Sequence, residues 1–540
     1  MKNFYQKYIG IRGVILTAYL WLVLGSSVFV VMCEKKDGIL ILSLLITLIP
    51  SALLSIVLIN LFKRIHINPI GKLKNRSHRL LWFWGFALLG FGILMIYYKG
   101  YYPGGFTEDS VNQYTQAMTG KYNNWHPVLQ TLFMFTLPLK LTGGWTGSII
   151  LFQMICFSLC AAYMCYTMLE YGNRPVAIAA FVFTYLNPVT GILMVHAWKD
   201  PSFAIAAMLC MTFAVRTYFT NGEWLKKWYN IVFTVIAFTA CTLFRHNGIF
   251  FTLPLLLAIV TTTKKRTWIT VCASVLAMCF IISLPVYSLM GVENPKSRTS
   301  ESAAFPVAVI GEIAARHPEK MDPELREFAY KVASPEVWQE RYVTGKYNSI
   351  KFSLPAANKE AMDEYGIFKI GGLMFKALGA EPKAAIKAMI KSTDLTYNIT
   401  DDLDWTIYPY IARNDYNIKY EGDNELKTFL SDYNEFFRTS PMRGIFWMLG
   451  TINLLVVAAI CAKLRRGKHM WSKLLIAGSM LIYNFCTMML LAGGDFRFFY
   501  YSYSVLPLIL LVLFRKDDAD DNNPSLPVHT EGKHKSKIRA

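Results

Sequence analysis

The sequence predicts an all-α polytopic membrane protein with about twelve transmembrane helices, an outer-face juxtamembrane helix and an inserted, mostly helical extracytoplasmic domain. Two observations carry this prediction. Of 540 residues, 54% are hydrophobic and 17% charged, more apolar surface than a soluble fold of this size can hide. The apolar residues also fall in runs of about 20, the length that spans a bilayer's hydrocarbon core.

The expected spans are, to within a few residues, about 13–32, 39–61, 80–98, 146–169, 175–195, 201–220, 229–244, 248–263, 267–290, 442–462, 471–492 and 498–514. The first is too long and too weakly terminated for a cleaved signal peptide, so it is expected to stay as an anchor. The chain then divides into an N-terminal membrane region over 1–290, an extracytoplasmic domain over 291–440, a C-terminal membrane segment over 441–514 and a disordered tail over 515–540. Within 291–440, helix-like text lies near 322–333 and 383–391, and Asp401, Asp402, Asp404 and Trp405 form the most acidic patch.

Orientation follows from lysine and arginine in the short loops. Lys63, Arg64, Lys72, Lys74, Arg76 and Arg79 crowd one loop; Lys226 with Lys227, Lys264 to Arg266, and Lys463, Arg465, Arg466 and Lys468 mark later ones. All fall on the cytoplasmic side if both termini are cytoplasmic, where the basic tail also lies. The net charge of +19 is therefore read as positive-inside loops and not as a nucleic-acid surface. The run after His126-Pro127, ending near Leu141, is short and interrupted by Pro138 and Lys140. Counting it as a span would put Lys226 and Lys264 outside, so it is expected to lie along the outer surface. The ten cysteines sit in or beside apolar runs and none falls in 291–440, which fits small core residues better than disulfides or a zinc site.

With this topology, four polar clusters from distant spans meet the outer boundary: Glu108 with Asp109, His196 to Asp200 with Lys199 among them, Arg245 with His246 and Asn247, and Asp495 to Arg497. Singly, each has an ordinary explanation. Lys199 and Asp200 can cap a helix, Arg245 can snorkel, and Asp495 can pair with Arg497 or Arg245. Together they carry the groups that transfer from a phosphate ester needs: a carboxylate to accept or orient a hydroxyl proton, and cations to hold the departing phosphate. Glu108 and Asp109 also offer oxygen donors suited to a divalent cation such as Mg or Mn, a set that two carboxylates leave incomplete. No Walker glycine loop, HExxH, CxxC or GxSxG occurs, so the signatures of nucleotide hydrolysis, zinc proteolysis and serine hydrolysis are missing.

Three stretches carry a resemblance. Thr107-Glu108-Asp109-Ser110, Asn124-Trp125-His126-Pro127-Val128-Leu129 and Asp495-Phe496-Arg497-Phe498 resemble the acidic, His-Pro-Pro-Leu and Asp-x-Arg-Tyr motifs of the glycosyltransferase C superfamily, the multi-spanning enzymes that use polyprenyl-phosphate-linked sugars. Ala197 to Pro201 and Phe244 to Gly248 look like text from a bacterial branch of such proteins. Val128 stands where the usual second proline would be, and Phe498 where tyrosine would be. The resemblance implies an inverting membrane glycosyltransferase of a bacterial plasma membrane, with a polyprenyl-phosphate sugar as donor and a cell-envelope acceptor. In that reading Asp109 is base or acceptor-orienting group with Glu108 in support. Lys199, Arg245 and Arg497 bind phosphate, and His126 and His246 position groups. Asp200, Asn247 and Asp495 complete the binding set. A transporter of lipid-linked sugars, with the same cations binding phosphate and no chemistry, stays open at this point; Pro188 within a span is the feature that favours it.

Overall fold

The computed structural model describes residues 10–69, 76–295, 298–399, 407–465, 467, 469–490 and 495–516. Outside them lie Lys72, Lys74, Arg466, Lys468, the Asp401–Trp405 patch and the basic tail. The chain is an all-α membrane protein. Among the described residues, seven helices are long and apolar enough to cross a bilayer: α1 (Ile11–Met32), α2 (Asp37–Arg64), α3 (Arg76–Gly100, apolar from Ser77), α6 (Ser148–Tyr171), α9 (Lys199–Phe219), α12 (Lys265–Leu289) and the stretch Phe496–Phe514 that ends in α21 (Tyr501–Phe514). An eighth crossing forms if the bent pair α7 (Arg174–Tyr185) and α8 (Pro188–Met194) is one span; the two are inclined by 54°. The proline-led second helix explains the break. Pro188 cannot continue the ladder of α7, and the Asn187 side chain accepts from Val189 N at 3.0 Å to start α8.

Of the remaining expected spans, α10 (Trp228–Leu243), α11 (Ile249–Thr262) and α19 (Leu449–Lys463) are shorter apolar helices, and α20 (Met470–Met488) has 19 residues. The run expected near 442 opens with a short helix, Arg443–Phe446, and continues as α19 from Leu449. Between α3 and α6 come α4 (Glu108–Thr119) and α5 (Val128–Leu141), the helix expected along the surface. A π turn over Leu132–Thr136 widens α5 just before Pro138, whose missing N–H removes one regular bond.

Burial separates the helices. In α9 and in Phe496–Phe514, 89% and 83% of the apolar window is buried, against 17% in α2 and 11% in α12. The first two are the centre of the bundle, and the others present leucine and isoleucine to lipid. All ten cysteines are free thiols.

Two further clusters sit on this bundle. Residues 303–385 have a hydrophobic core of their own, built from α13 (Ala304–Arg316), α14 (Pro323–Val332), α15 (Pro335–Arg341), α16 (Lys359–Ala380) and α17 (Pro382–Thr393). Trp338 fills its middle and donates to Ala329 O at 2.8 Å. By contrast Leu395, Ile407, Ile418 and Leu430 join the membrane core, so the second half of 291–440 packs down onto the bundle. α18 (Asn424–Thr439) lies against α3 there.

The two ends of the bundle differ. At one, Lys463 Nζ donates to Lys63 O at 3.1 Å, Lys516 N to Ile67 O at 3.0 Å and Asn173 Nδ2 to Asn68 O at 3.1 Å, which gathers basic loops that are far apart in the chain. At the other, Lys387 of α17 pairs with Glu34 at 3.0 Å and Lys383 with Asp37, tying the small core to the α1–α2 turn.

Candidate functional site

The second end also gathers the polar groups singled out in the sequence. Residues 102–106 leave α3 as an extended strand-like segment that bridges two partners: Gly105 N donates to Val195 O at 2.7 Å, and Phe106 N to Tyr410 O at 2.9 Å. Gly105 is required by this closeness, because a Cβ there would fall 2.7 Å from the His196 ring. The segment delivers Thr107 as N-cap of α4, and α4 presents Glu108 and Asp109 in its first turn, where the helix dipole favours negative charge.

Arg497 is the hub. Its guanidinium pairs with Asp495 at 2.7 Å, Asp109 at 3.4 Å and Asp200 at 3.9 Å, and lies 4.6 Å over the Trp198 ring. Asp200, in the first turn of α9, pairs in turn with Arg245, which is buried and sits 4.8 Å from the Phe498 ring. Arg245 therefore does not snorkel; it is turned inward to a carboxylate. Asn247 holds that loop by accepting from Arg245 Nε at 3.3 Å and donating to Thr487 Oγ1 at 2.7 Å. Segments nearly 400 residues apart in the chain thus share one charge cluster.

Trp198 fixes the geometry from below. It stacks on His196 at 3.9 Å, carries Arg497 on its face, and donates from Nε1 to Thr107 Oγ1 at 2.8 Å, so the platform under the cation also holds the cap of the helix bearing Asp109.

Three of these groups have capacity left for a ligand. Asp109 is 41% exposed. Burial pushes its carboxyl up, but Lys199, Arg497 and His126 together outweigh burial and hold it below the usual carboxylate range. Lys199 makes no hydrogen bond or ion pair among the described residues, yet it exerts the strongest pull of any cation on Asp109. His126 is buried, with Nε2 4.0 Å from Asp109 and Nδ1 without a partner; burial, then Lys199, pushes it down to about 3, so its ring is neutral. His246 contacts Trp125 O at 3.3 Å, and burial with Arg298 pushes it down to about 4.

Glu108 turns away from Asp109 and accepts from Tyr410 OH at 2.9 Å. Successive residues of a helix point about 100° apart, so the pair does not converge on one ion. Among the described residues no group of three or more His, Cys, Asp or Glu is arranged to hold a metal. The donor set expected for Mg or Mn does not fit here. Asp200 and Asp495 are instead committed to cations of the chain.

Of the residues expected at the boundary, His196 is fully buried beneath the site, and burial pushes it down to about 4. Sequence reasoning missed the roles of three contributors. Tyr410 donates its hydroxyl to Glu108. Arg298 donates to Asn124 O, and Lys351, paired with Glu301 at 2.5 Å, adds to the field at Asp109. The last three come from the inserted region, whose docking onto 102–125 is made by backbone bonds that leave no side-chain pattern.

The fold and the cluster define a class: a multi-pass α-helical membrane protein with a mixed-charge site at one end of its bundle. Comparison with family models, curated proteins and solved structures returns no match.

Proposed function

We propose that the protein is a membrane glycosyltransferase, with a twelve-span topology of the glycosyltransferase C kind, that moves a sugar from a polyprenyl-phosphate donor to a cell-envelope acceptor at the extracytoplasmic face of a bacterial plasma membrane. One observation carries it: a half-exposed carboxylate, Asp109, stands beside an ammonium, Lys199, that has no partner of its own. A donor phosphate would pair with the ammonium, and an acceptor hydroxyl would donate to the carboxylate.

In this reading Lys199 and Arg497 take the donor phosphate, and Arg245 holds Asp200 so that it competes less with the phosphate for Arg497. The acceptor hydroxyl is oriented by Asp109, attacks the anomeric carbon from the face opposite the phosphate, and gives its proton to the Asp109 carboxylate as the new bond forms. The bond from that carbon to phosphate oxygen breaks, and the cations stabilise the charge left on polyprenyl phosphate. Neutral His126 does not compete with Lys199 for the anion. The test is incubation of purified protein with a small panel of undecaprenyl-phosphate sugars while released carrier is measured. Acceptor-dependent release supports transfer, and release without acceptor means hydrolysis instead.

The 54° break between α7 and α8 favours a second reading, transport of the intact lipid-linked sugar, because discontinuous helices are common in transporters. Movement of unreacted donor across vesicles containing the protein would replace the first reading with this one.

A further inference from the structure

A groove of about 730 Å³ opens beside the outer part of α3, away from the charge cluster. Its floor is α3 itself, through Gly92, Met95, Ile96 and Lys99, and its roof is the start of α18, through Glu421, Gly422, Asp423 and Leu426. The walls are fixed by backbone bonds: Glu421 N to Tyr102 O at 3.0 Å and Asp423 N to Lys99 O at 3.1 Å. Gly422 lets them close, since a Cβ there would meet Gly100 O at 2.5 Å.

The groove changes character along its length. Gly92 lies about 10 Å along the helix axis from Lys99, at 1.5 Å per residue, on a face that looks into lipid. At its polar end Lys99 and Asp423 pair at 3.3 Å, with the lysine 71% exposed, so this pair is weak and open to exchange. Glu421 is exposed there, and among the described residues its side chain has no partner. Tyr102 and Trp145, bonded at 2.9 Å, mark the level of the headgroups, where such amphipathic rings collect.

We infer that this groove is a binding site for a zwitterionic phospholipid. An acyl chain runs along Gly92 and Ile96, the phosphate meets Lys99, and the headgroup ammonium meets Glu421 and Asp423. One cation beside two carboxylates complements a zwitterion and disfavours an anionic headgroup. The inference stands apart from the transfer reading, because none of the residues of the charge cluster lines the groove.

The test is native mass spectrometry of the full chain after equilibration with vesicles of equal phosphatidylethanolamine and phosphatidylglycerol. Wild type is expected to retain phosphatidylethanolamine about fivefold over phosphatidylglycerol. Gly92→Trp fills the floor and should abolish retention; nothing lies within 4 Å of a Cβ at Gly92, so the variant has room to fold. Glu421→Lys should reverse the preference. Equal retention of both lipids by wild type, retention unchanged in Gly92→Trp, or disulfide crosslinking of two copies through Gly92→Cys would each overturn the assignment.

Discussion

Arg216, buried, and Arg497, partly buried, are both stacked on aromatic rings, at opposite ends of the central bundle, and they are satisfied in different ways. Arg216, in the last turn of α9, pairs with Glu170 at 2.7 Å, donates to Thr167 Oγ1 at 3.0 Å and lies within 6 Å of the Tyr163, Tyr166 and Tyr171 rings. Its charge is matched one to one, and both side chains of the pair are about a tenth exposed. Arg497 faces three carboxylates, one of which, Asp200, it shares with Arg245, while Lys199 nearby has no partner among the described residues and Asp109 is partly open. Closed pairing of this kind joins helices. Sharing with a cation to spare leaves room for an anionic ligand and is costly to keep unless something uses it.

The comparison breaks most sharply on activity. Asp109→Asn should lower transfer by about 10²–10⁴-fold, the usual contribution of a positioned acid or base, while thermal stability in detergent changes by no more than about 0.5 kcal/mol. Arg497 keeps Asp495 and Asp200 in the variant, and Lys199 keeps the field of Asp200. Full carrier release by Asp109→Asn would remove the mechanism. The mirror experiment is Glu170→Ala, which strands Arg216 and should cost about 3–5 kcal/mol of stability, with activity per folded molecule unchanged. An active-site defect there would erase the distinction between the two ends.

Acid sharpens the contrast next. His126 and His196 are buried and neutral, pushed down to about 3 and about 4 by loss of solvent. The unfolded chain takes up protons on them below about pH 6.5, and the folded protein does not until much lower. Stability from the neutral rings is therefore complete above that value and declines as pH falls toward 4. Asp109 acts in the same sense, since its depressed carboxyl favours the fold above the usual carboxylate range and the benefit is lost on further acidification. Between pH 7 and 5 each buried histidine should remove about 1–2 kcal/mol, and His126→Gln should recover one such step in thermal unfolding. Unfolding independent of pH over this interval would mean that the rings are already solvated.

The apolar architecture was legible because it is periodic and local. Most expected spans correspond to a single helix, the one over 175–195 is the bent pair α7 and α8, and the run after His126-Pro127 forms α5. What escaped was non-local. That the three apolar helices α10, α11 and α19 are shorter than a bilayer shows only in the folded chain. The charge cluster could be assembled from a topological count, since it depends only on which ends share a side. The roles of Tyr410, Arg298 and Lys351 could not, because they rest on backbone bridges between 102–125 and the inserted region.

The smallest expected effect tests whether Trp198 is a platform or only filler. Trp198→Phe keeps an aromatic face beneath Arg497 and the stack on His196, but removes the Nε1 donor to Thr107 Oγ1. A hydrogen bond of this type contributes about 0.5–1.5 kcal/mol, so the cap of α4 loosens without leaving its place. Because Asp109 sits two residues beyond that cap, turnover should fall several-fold while donor affinity, set by Lys199 and Arg497, stays close to wild type. A purely packing role would lower thermal stability and leave kcat untouched. Equal loss in kcat and in donor binding would mean instead that Trp198 acts through Arg497, and that the cation is part of the moving machinery.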